Sequence, residues 1–129
     1  MGYRCNFHCK HCLIADKESK ELSLTEIRLL RKLLASQNFD SLLFVGGEPT
    51  LYISTINKVL EGFVKGPKTI VAITTNGHFA ASESSARETL KKINGLNYVQ
   101  VSYDNYHKKF IRLSNIHNLY QASKSLGMG

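Results

Sequence analysis

The chain has 129 residues, a 43% share of hydrophobic residues and a formal charge of +7, which suits one compact domain and no more. No segment approaches the roughly 18 consecutive apolar residues of a membrane span, and the N-terminus lacks the pattern of a signal peptide. We therefore expect a cytoplasmic protein with no membrane partner. Its basic residues are scattered, without an aromatic-interleaved stripe, so nucleic-acid binding is not expected either.

The first half of the chain predicts a helix, a strand and a second helix. Ser23-Leu-Thr-Glu26 has the spacing of a capping box, and apolar residues then recur at helical intervals, which predicts a helix over about residues 24–37. The short apolar run 42–45 is typical of a strand buried on both faces.

After this strand the backbone can turn at Gly46-Gly47, and Pro49 can open the next helix. Apolar residues continue to Phe63, and Gly66-Pro67 is expected to stop this helix. Two further strand–helix pairs follow, at about residues 69–73 with 82–94 before Gly95, and 98–101 with 110–126 before Gly127.

Strands that alternate with helices predict an α/β fold, in which right-handed crossovers connect parallel strands. In such sheets the ligand lies beyond the C-terminal ends of the strands. Three loops with glycine or polar residues directly follow predicted strands, at residues 46–49, 74–77 and 102–107. The sequence therefore predicts one binding site at this edge of the sheet.

The cysteines of the chain are Cys5, Cys9 and Cys12, in a C-x3-C-x2-C pattern. An odd number of thiols in a reducing compartment is more typical of metal ligands than of a disulfide. An iron–sulfur cube of four irons is ordinarily held by four thiolates, so three thiolates leave one iron with an open coordination position. Open positions are typical of catalytic metals, as zinc sites show. The pattern therefore indicates chemistry at a metal.

Two other interpretations of the cysteines stay open. They are compatible with ordinary reduced thiols, and they are compatible with a zinc site that is completed by His8, His11 or His107. Zinc sites normally use paired C-x2-C units or a distant pair of histidines, and the sequence contains neither.

Together with Gly46-Gly47-Glu48-Pro49, the cysteine pattern resembles the cluster loop and GGEP motif of the radical S-adenosylmethionine (radical SAM) enzymes. The resemblance covers nearly the whole chain. It implies a partial (β/α) barrel, a [4Fe-4S] cluster on the three cysteines and SAM on the open iron. In that family, an electron from an external flavodoxin or ferredoxin is used to cleave SAM to a 5′-deoxyadenosyl radical, which abstracts hydrogen from a substrate. The substrate is not predicted, and a peptide or protein is one possibility.

The resemblance also implies which residues contact SAM. Gly46, Gly47 and Glu48 are expected at its amino group, because glycines permit close backbone approach and a carboxylate complements an ammonium. Ser102 and Asp104 are expected at its ribose, where a hydroxyl and a carboxylate suit a diol. The alternative for Asp104 is an Asx-type turn with the following residue.

The resemblance also places residues from two other loops. Thr75 and Asn76 follow the preceding strand and are expected to contact SAM. His11 stands where the family commonly has an aromatic residue whose backbone meets the adenine. Phe7 is expected to pack over the cluster. No catalytic residue is predicted beyond the cluster ligands, and His107 is given no catalytic role.

The barrel of the family usually has six strand–helix units. We expect residues 1–129 to form a single truncated core domain, without the first strand and the last units. Such a piece exposes two strand edges and an apolar inner face, so self-association is expected. Two alternative functions are a small zinc-binding interaction module and an inert barrel fragment that binds a cluster without cleaving SAM.

Overall fold

The computed structural model describes residues 1–14 and 20–129. In these ranges, three strands alternate with helices as predicted. The strands are β1 (Ser41–Phe44), β2 (Ile70–Thr75) and β3 (Tyr98–Val101), and the α-helices are α1 (Leu24–Ser36), α2 (Ile53–Leu60), α3 (Glu83–Lys91) and α4 (Leu113–Ser125). Two short 3₁₀ helices, Pro49–Tyr52 and His107–Lys109, lie in the loops that follow β1 and β3.

The three strands form one parallel sheet in the order β1-β2-β3. Leu43 lies opposite Ala72, and Ala72 lies opposite Tyr98 on its other side. Because neighbouring strands run in the same direction, their C-terminal ends meet at one edge. The expected α/β fold with a parallel sheet is therefore confirmed, and the three predicted loops lie at that edge. The second loop begins at Asn76 and not at residue 74, because β2 continues to Thr75.

The described α-helices all pack on one face of the sheet. Phe44 and Ile73 lie on that face and belong to the core, with Ile56 of α2 and Leu90 of α3. On the opposite face Leu43 is 51% exposed. The prediction that residues 42–45 are buried on both faces is therefore wrong, because the described helices form a single layer. The exposed apolar face was expected, and self-association through it stays a prediction.

The capping box at the start of α1 is confirmed. The Glu26 N–H donates to the Ser23 hydroxyl oxygen at 3.3 Å, and the Ser23 N–H donates to the Glu26 carboxylate at 2.7 Å. These bonds satisfy two donors at the helix start that have no partner inside the helix.

The helices α2 and α3 both end earlier than predicted, α2 well before Gly66 and α3 by about three residues. The last residue of α2 is Leu60, because Gly62 follows in the left-handed region with φ of 78°. Phe63 lies beyond the helix but still packs against the core. The last residue of α3 is Lys91, and a tighter turn with an Ile93 N–H to Leu90 carbonyl bond of 3.2 Å leads on to Gly95.

The predicted start of α4 at residue 110 is also wrong, since the helix begins at Leu113. In the preceding 3₁₀ helix the Phe110 N–H donates to the His107 carbonyl at 2.9 Å. Arg112, which follows, has an extended backbone with ψ of 157°. None of the described helices is both long enough and apolar enough to cross a membrane.

Candidate functional site

The first residues of the chain are held against the loop that follows β1. The Gly47 N–H donates to the Gly2 carbonyl at 2.9 Å, and the Glu48 N–H donates to the Arg4 carbonyl at 3.0 Å. A Cβ added to Gly47 would lie only 2.2 Å from that Arg4 carbonyl oxygen, and one added to Gly46 would lie 2.6 Å from the Gly2 carbonyl oxygen. The two glycines therefore permit the close approach that brings Cys5 to the C-terminal edge of the sheet.

The three cysteines lie on one loop with part of its surface open to solvent. Cys5 and Cys9 are half-buried, Cys12 is exposed, and none of these three described residues forms a disulfide. The Cys12 N–H donates to the Cys9 carbonyl at 3.1 Å, which closes a tight turn between them. Thiolates are the usual ligands of iron–sulfur clusters, so this donor set fits a cluster held by three cysteines.

Asn76 connects the end of β2 to the cysteine loop. Its side chain is 6% exposed, and the amide Nδ2 donates to the Asn6 Oδ1 at 2.9 Å and to the Cys5 Sγ at 3.7 Å. The Phe7 N–H donates to the same sulfur at 3.4 Å. In the structure, Asn76 thus contacts Cys5, one of the predicted metal ligands. Its expected contact with SAM stays a prediction.

Glu48 is 1% exposed, and its carboxylate is surrounded by neutral donors. Oε1 accepts the Thr75 hydroxyl at 2.7 Å, the Thr50 hydroxyl at 2.6 Å and the Thr50 N–H at 3.1 Å. Oε2 accepts the Asn76 N–H at 2.9 Å. A buried carboxylate requires such partners. Glu48 therefore joins the loops after β1 and β2, a role that sequence reasoning missed.

Asp104 lies in the loop after β3 and forms an Asx-type turn. Its Oδ1 accepts hydrogen bonds from the Tyr106 N–H at 2.8 Å and the His107 N–H at 3.0 Å. The His107 Nδ1 lies 2.8 Å from the same oxygen. The bond from the His107 backbone is the main reason that the pKa of Asp104 is lowered to about 2. Oδ2 lies 3.4 Å from the His11 Nε2. The expected ribose contact of Asp104 stays a prediction.

Ser102 is half-buried beside the same edge, and its N–H donates to the Thr75 carbonyl at 2.9 Å. The bond extends the pairing of β2 with β3 by one step. Ser102 and Glu48 thus lie next to the same residue of β2, Thr75. Sequence reasoning placed the predicted SAM residues at one sheet edge, and the structure brings these two to neighbouring positions.

Aromatic rings join the loop after β3 to the cysteine loop. The His11 ring lies 4.3 Å from the Tyr106 ring and 5.4 Å from the His107 ring, measured between centroids. The Phe7 ring stacks on Phe110 at 4.9 Å with an interplanar angle of 15°. The contact with Phe110 was not predicted, because these two residues lie far apart in the sequence.

The sequence matches the profile described as the Radical SAM superfamily over residues 1–125. The chain belongs to the radical SAM superfamily, a superfamily of enzymes, as its cysteine and GGEP motifs predicted. The fold and the positions of the motifs agree with this membership.

Several curated proteins are similar to the chain. A Bacillus subtilis protein named for peptide biosynthesis, YydG, is 26% identical and matches 96% of this chain and 40% of its own length. The GTP 3',8-cyclase of Pasteurella multocida is 31% identical over 95% of this chain and 37% of its own. The Fe-coproporphyrin III synthase of Methanosarcina barkeri is 36% identical over 81% and 26%. The chain therefore spans about a quarter to two fifths of the length of these relatives.

Proposed function

We propose that the chain is the cluster-binding and SAM-binding part of a radical SAM enzyme. The observation that supports this most is the position of the cysteine loop. Backbone bonds to Gly47 and Glu48 hold its start at the C-terminal edge of a parallel sheet, where ligands bind in such folds. Cys5, Cys9 and Cys12 are the proposed ligands of a [4Fe-4S] cluster.

When bound, the cluster and SAM supply the radical chemistry by reductive cleavage to 5′-deoxyadenosyl, and the protein supplies binding and orientation. The backbone of Gly46 and Gly47 is proposed to contact the amino group of SAM, while the space that a Cβ would need there is filled by the backbone of residues 2–4. Because the Glu48 carboxylate is buried among four hydrogen bonds, its main contribution is to fix the shape of this loop.

Ser102 and Asp104 are proposed to face the ribose, and His11 the adenine. The Asp104 Oδ1 is used by the turn, whereas among the described residues Oδ2 has only the longer contact with His11. Oδ2 is therefore the oxygen proposed for the ribose. Asn76 is proposed to act at this site chiefly through Cys5, and a direct contact with SAM is compatible with its position.

The reaction requires an external one-electron donor of the flavodoxin or ferredoxin type, and a reducing compartment such as the cytoplasm keeps the thiols available. The names of the relatives support two different substrate classes. The name of YydG supports a peptide, whereas the names of the cyclase and the synthase support small molecules. We propose hydrogen abstraction as the reaction class and leave these substrates as alternatives.

The test is anaerobic reconstitution of the chain with iron and sulfide, reduction, and electron paramagnetic resonance (EPR) with and without SAM. We expect a reduced-cluster signal that changes when SAM is added. A variant with all three cysteines changed to Ala is the control and should give no signal. A signal that does not respond to SAM would indicate an inert fragment.

A zinc site is the second candidate, because ligand atoms of His11, Asp104 and His107 lie within 4.8 Å of one another next to the cysteine loop. Metal analysis of the protein as purified separates the two candidates. One zinc per chain and no cluster after reconstitution would overturn the iron–sulfur proposal.

A further inference from the structure

A cavity of about 670 Å³ lies directly beside the cysteine loop. Asn6 and Phe7 of that loop form one side, and residues between β3 and the first turn of α4 form another. His78 and Ala81, from the loop after β2, complete the lining. The basic side chains that line it are Lys108, Lys109 and Arg112, all exposed. Among the described residues that line this cavity there is no Asp or Glu.

Two of the three segments that line the cavity contain no carboxylate side chain over a long stretch of sequence. Residues 1–14 and 105–129 contain no Asp or Glu, although the whole chain has 10. The acidic residues nearest in sequence to the lining residues are Glu83, which is paired with Arg87, and Asp104, whose carboxylate is engaged by His107 and His11. A positively charged surface with few negative charges nearby attracts acidic partners. At physiological salt this attraction acts over roughly the Debye length of 8–10 Å.

An aromatic contact leads from this surface to the cysteine loop. Phe110 is 41% exposed between Lys109 and Arg112, and it stacks on Phe7, which is 5% exposed. Phe7 lies between Cys5 and Cys9 in the sequence. A partner that contacts Phe110 is therefore separated from the loop of the proposed cluster ligands only by the stacked ring of Phe110 on Phe7.

We propose that Lys108, Lys109, Phe110 and Arg112, here called the Lys108 surface, form the docking site for an acidic one-electron carrier protein. This proposal rests on the proposed function, which requires such a donor. An apolar centre with a cationic rim suits a redox partner that docks briefly, because charges raise the association rate while the small contact allows fast release. One electron leaves the carrier, which is oxidised, and enters the centre on the cysteine loop, which is reduced; no covalent bond changes.

The first test measures binding, which does not depend on turnover. A flavodoxin of strongly negative charge is titrated into the full chain by calorimetry at low and high ionic strength. For Lys108→Glu with Lys109→Glu we expect about tenfold weaker binding at low salt, and a smaller difference at high salt because exposed charges are screened. The matched control is Lys91→Glu with Lys92→Glu, which makes the same change in net charge on two exposed lysines at the end of α3.

The second test measures reduction of the reconstituted protein by two donors. We expect the Lys108/Lys109 variant to be reduced about tenfold more slowly by reduced flavodoxin, because the substitutions lower the association rate of the two proteins. Photoreduced deazaflavin, a small donor that needs no docking surface, should reduce the variant and the unmodified protein at the same rate.

Equal losses in both double variants would overturn the proposal, because the effect would then follow net charge alone. Unchanged binding in the Lys108/Lys109 variant would overturn it as well. Slower reduction by deazaflavin would also count against it, since the variant would have a damaged centre rather than a lost docking site. If the unmodified chain forms no reducible cluster, the proposed function fails, and the binding titration still reports separately on the surface.

Discussion

The side-chain amide of Asn76 donates to the Sγ of Cys5 at 3.7 Å, a contact between residues that lie 71 positions apart in the chain. With the Phe7 N–H at 3.4 Å, the Cys5 sulfur thus has two donors. Hydrogen bonds to ligand sulfurs are one of the means by which a protein sets the potential of an iron–sulfur cluster. The loop after β2 is therefore in a position to tune the cluster proposed for the cysteine loop.

Asn76→Ala is expected to shift the reduction potential of the reconstituted cluster to a more negative value, because the Cys5 thiolate loses a donor that stabilises the more negative, reduced state. A potentiometric titration followed by EPR measures the shift. The matched control is Asn118→Ala, since the Asn118 amide holds the same loop through the Ala80 and Ala81 carbonyls, each at 3.1 Å. An equal shift in both variants, or none in Asn76→Ala at unchanged iron content, would contradict the prediction.

Glu48→Ala is expected to lower the free energy of unfolding by about 3 kcal/mol, because it leaves several buried donors without an acceptor. The affected groups are the Thr75 hydroxyl, the Asn76 N–H and those of Thr50. Urea denaturation measures the loss. Glu48→Gln keeps the volume and one acceptor, so its loss should be about half as large. Equal stability of the unmodified chain and the Ala variant would show that these bonds contribute little.

The contrast between two glutamates explains how much of the structure the sequence predicts. Glu26 and its partner Ser23 are three residues apart, so the capping box is visible in the sequence and is present in the structure. Glu48 also has a local partner, Thr50, but the two partners that join it to β2 and its loop lie 27 and 28 residues away. Such a network depends on the register of β1 against β2, which the sequence alone does not specify.

The wrong predictions have similar physical causes. The apolar run 42–45 is compatible with burial on both faces or on one, and the choice depends on how many layers cover the sheet. The start of α4 was predicted too early because residues 107–109 form a separate 3₁₀ helix. That 3₁₀ helix follows Asp104, whose carboxylate accepts hydrogen bonds from the N–H groups of Tyr106 and His107. The alternation of elements was predictable, whereas their ends depend on side-chain contacts.

Gly47→Ala is expected to destabilise the chain by about 2 kcal/mol, because its Cβ would lie 2.2 Å from the Arg4 carbonyl oxygen, and a backbone atom cannot move aside cheaply. Denaturant unfolding measures the loss. The control is Gly66→Ala, whose Cβ meets only the Thr69 hydroxyl at 3.1 Å and should cost much less. If both variants are equally stable, the N-terminal segment is not held against this loop.

Asp104→Asn tests the pH dependence of the turn after β3. In the folded chain the pKa of Asp104 is lowered to about 2, mainly by the backbone bond from His107, so the ionised carboxylate stabilises the fold above its ordinary pKa of 3.8. That contribution is lost as the pH falls from about 4 to about 2. Asn keeps an oxygen for the turn but does not titrate, so the stability of the variant should depend less on pH in this window. Urea unfolding of the cluster-free chain at several pH values measures the slope, and identical slopes would mean that Asp104 forms no such bonds in solution.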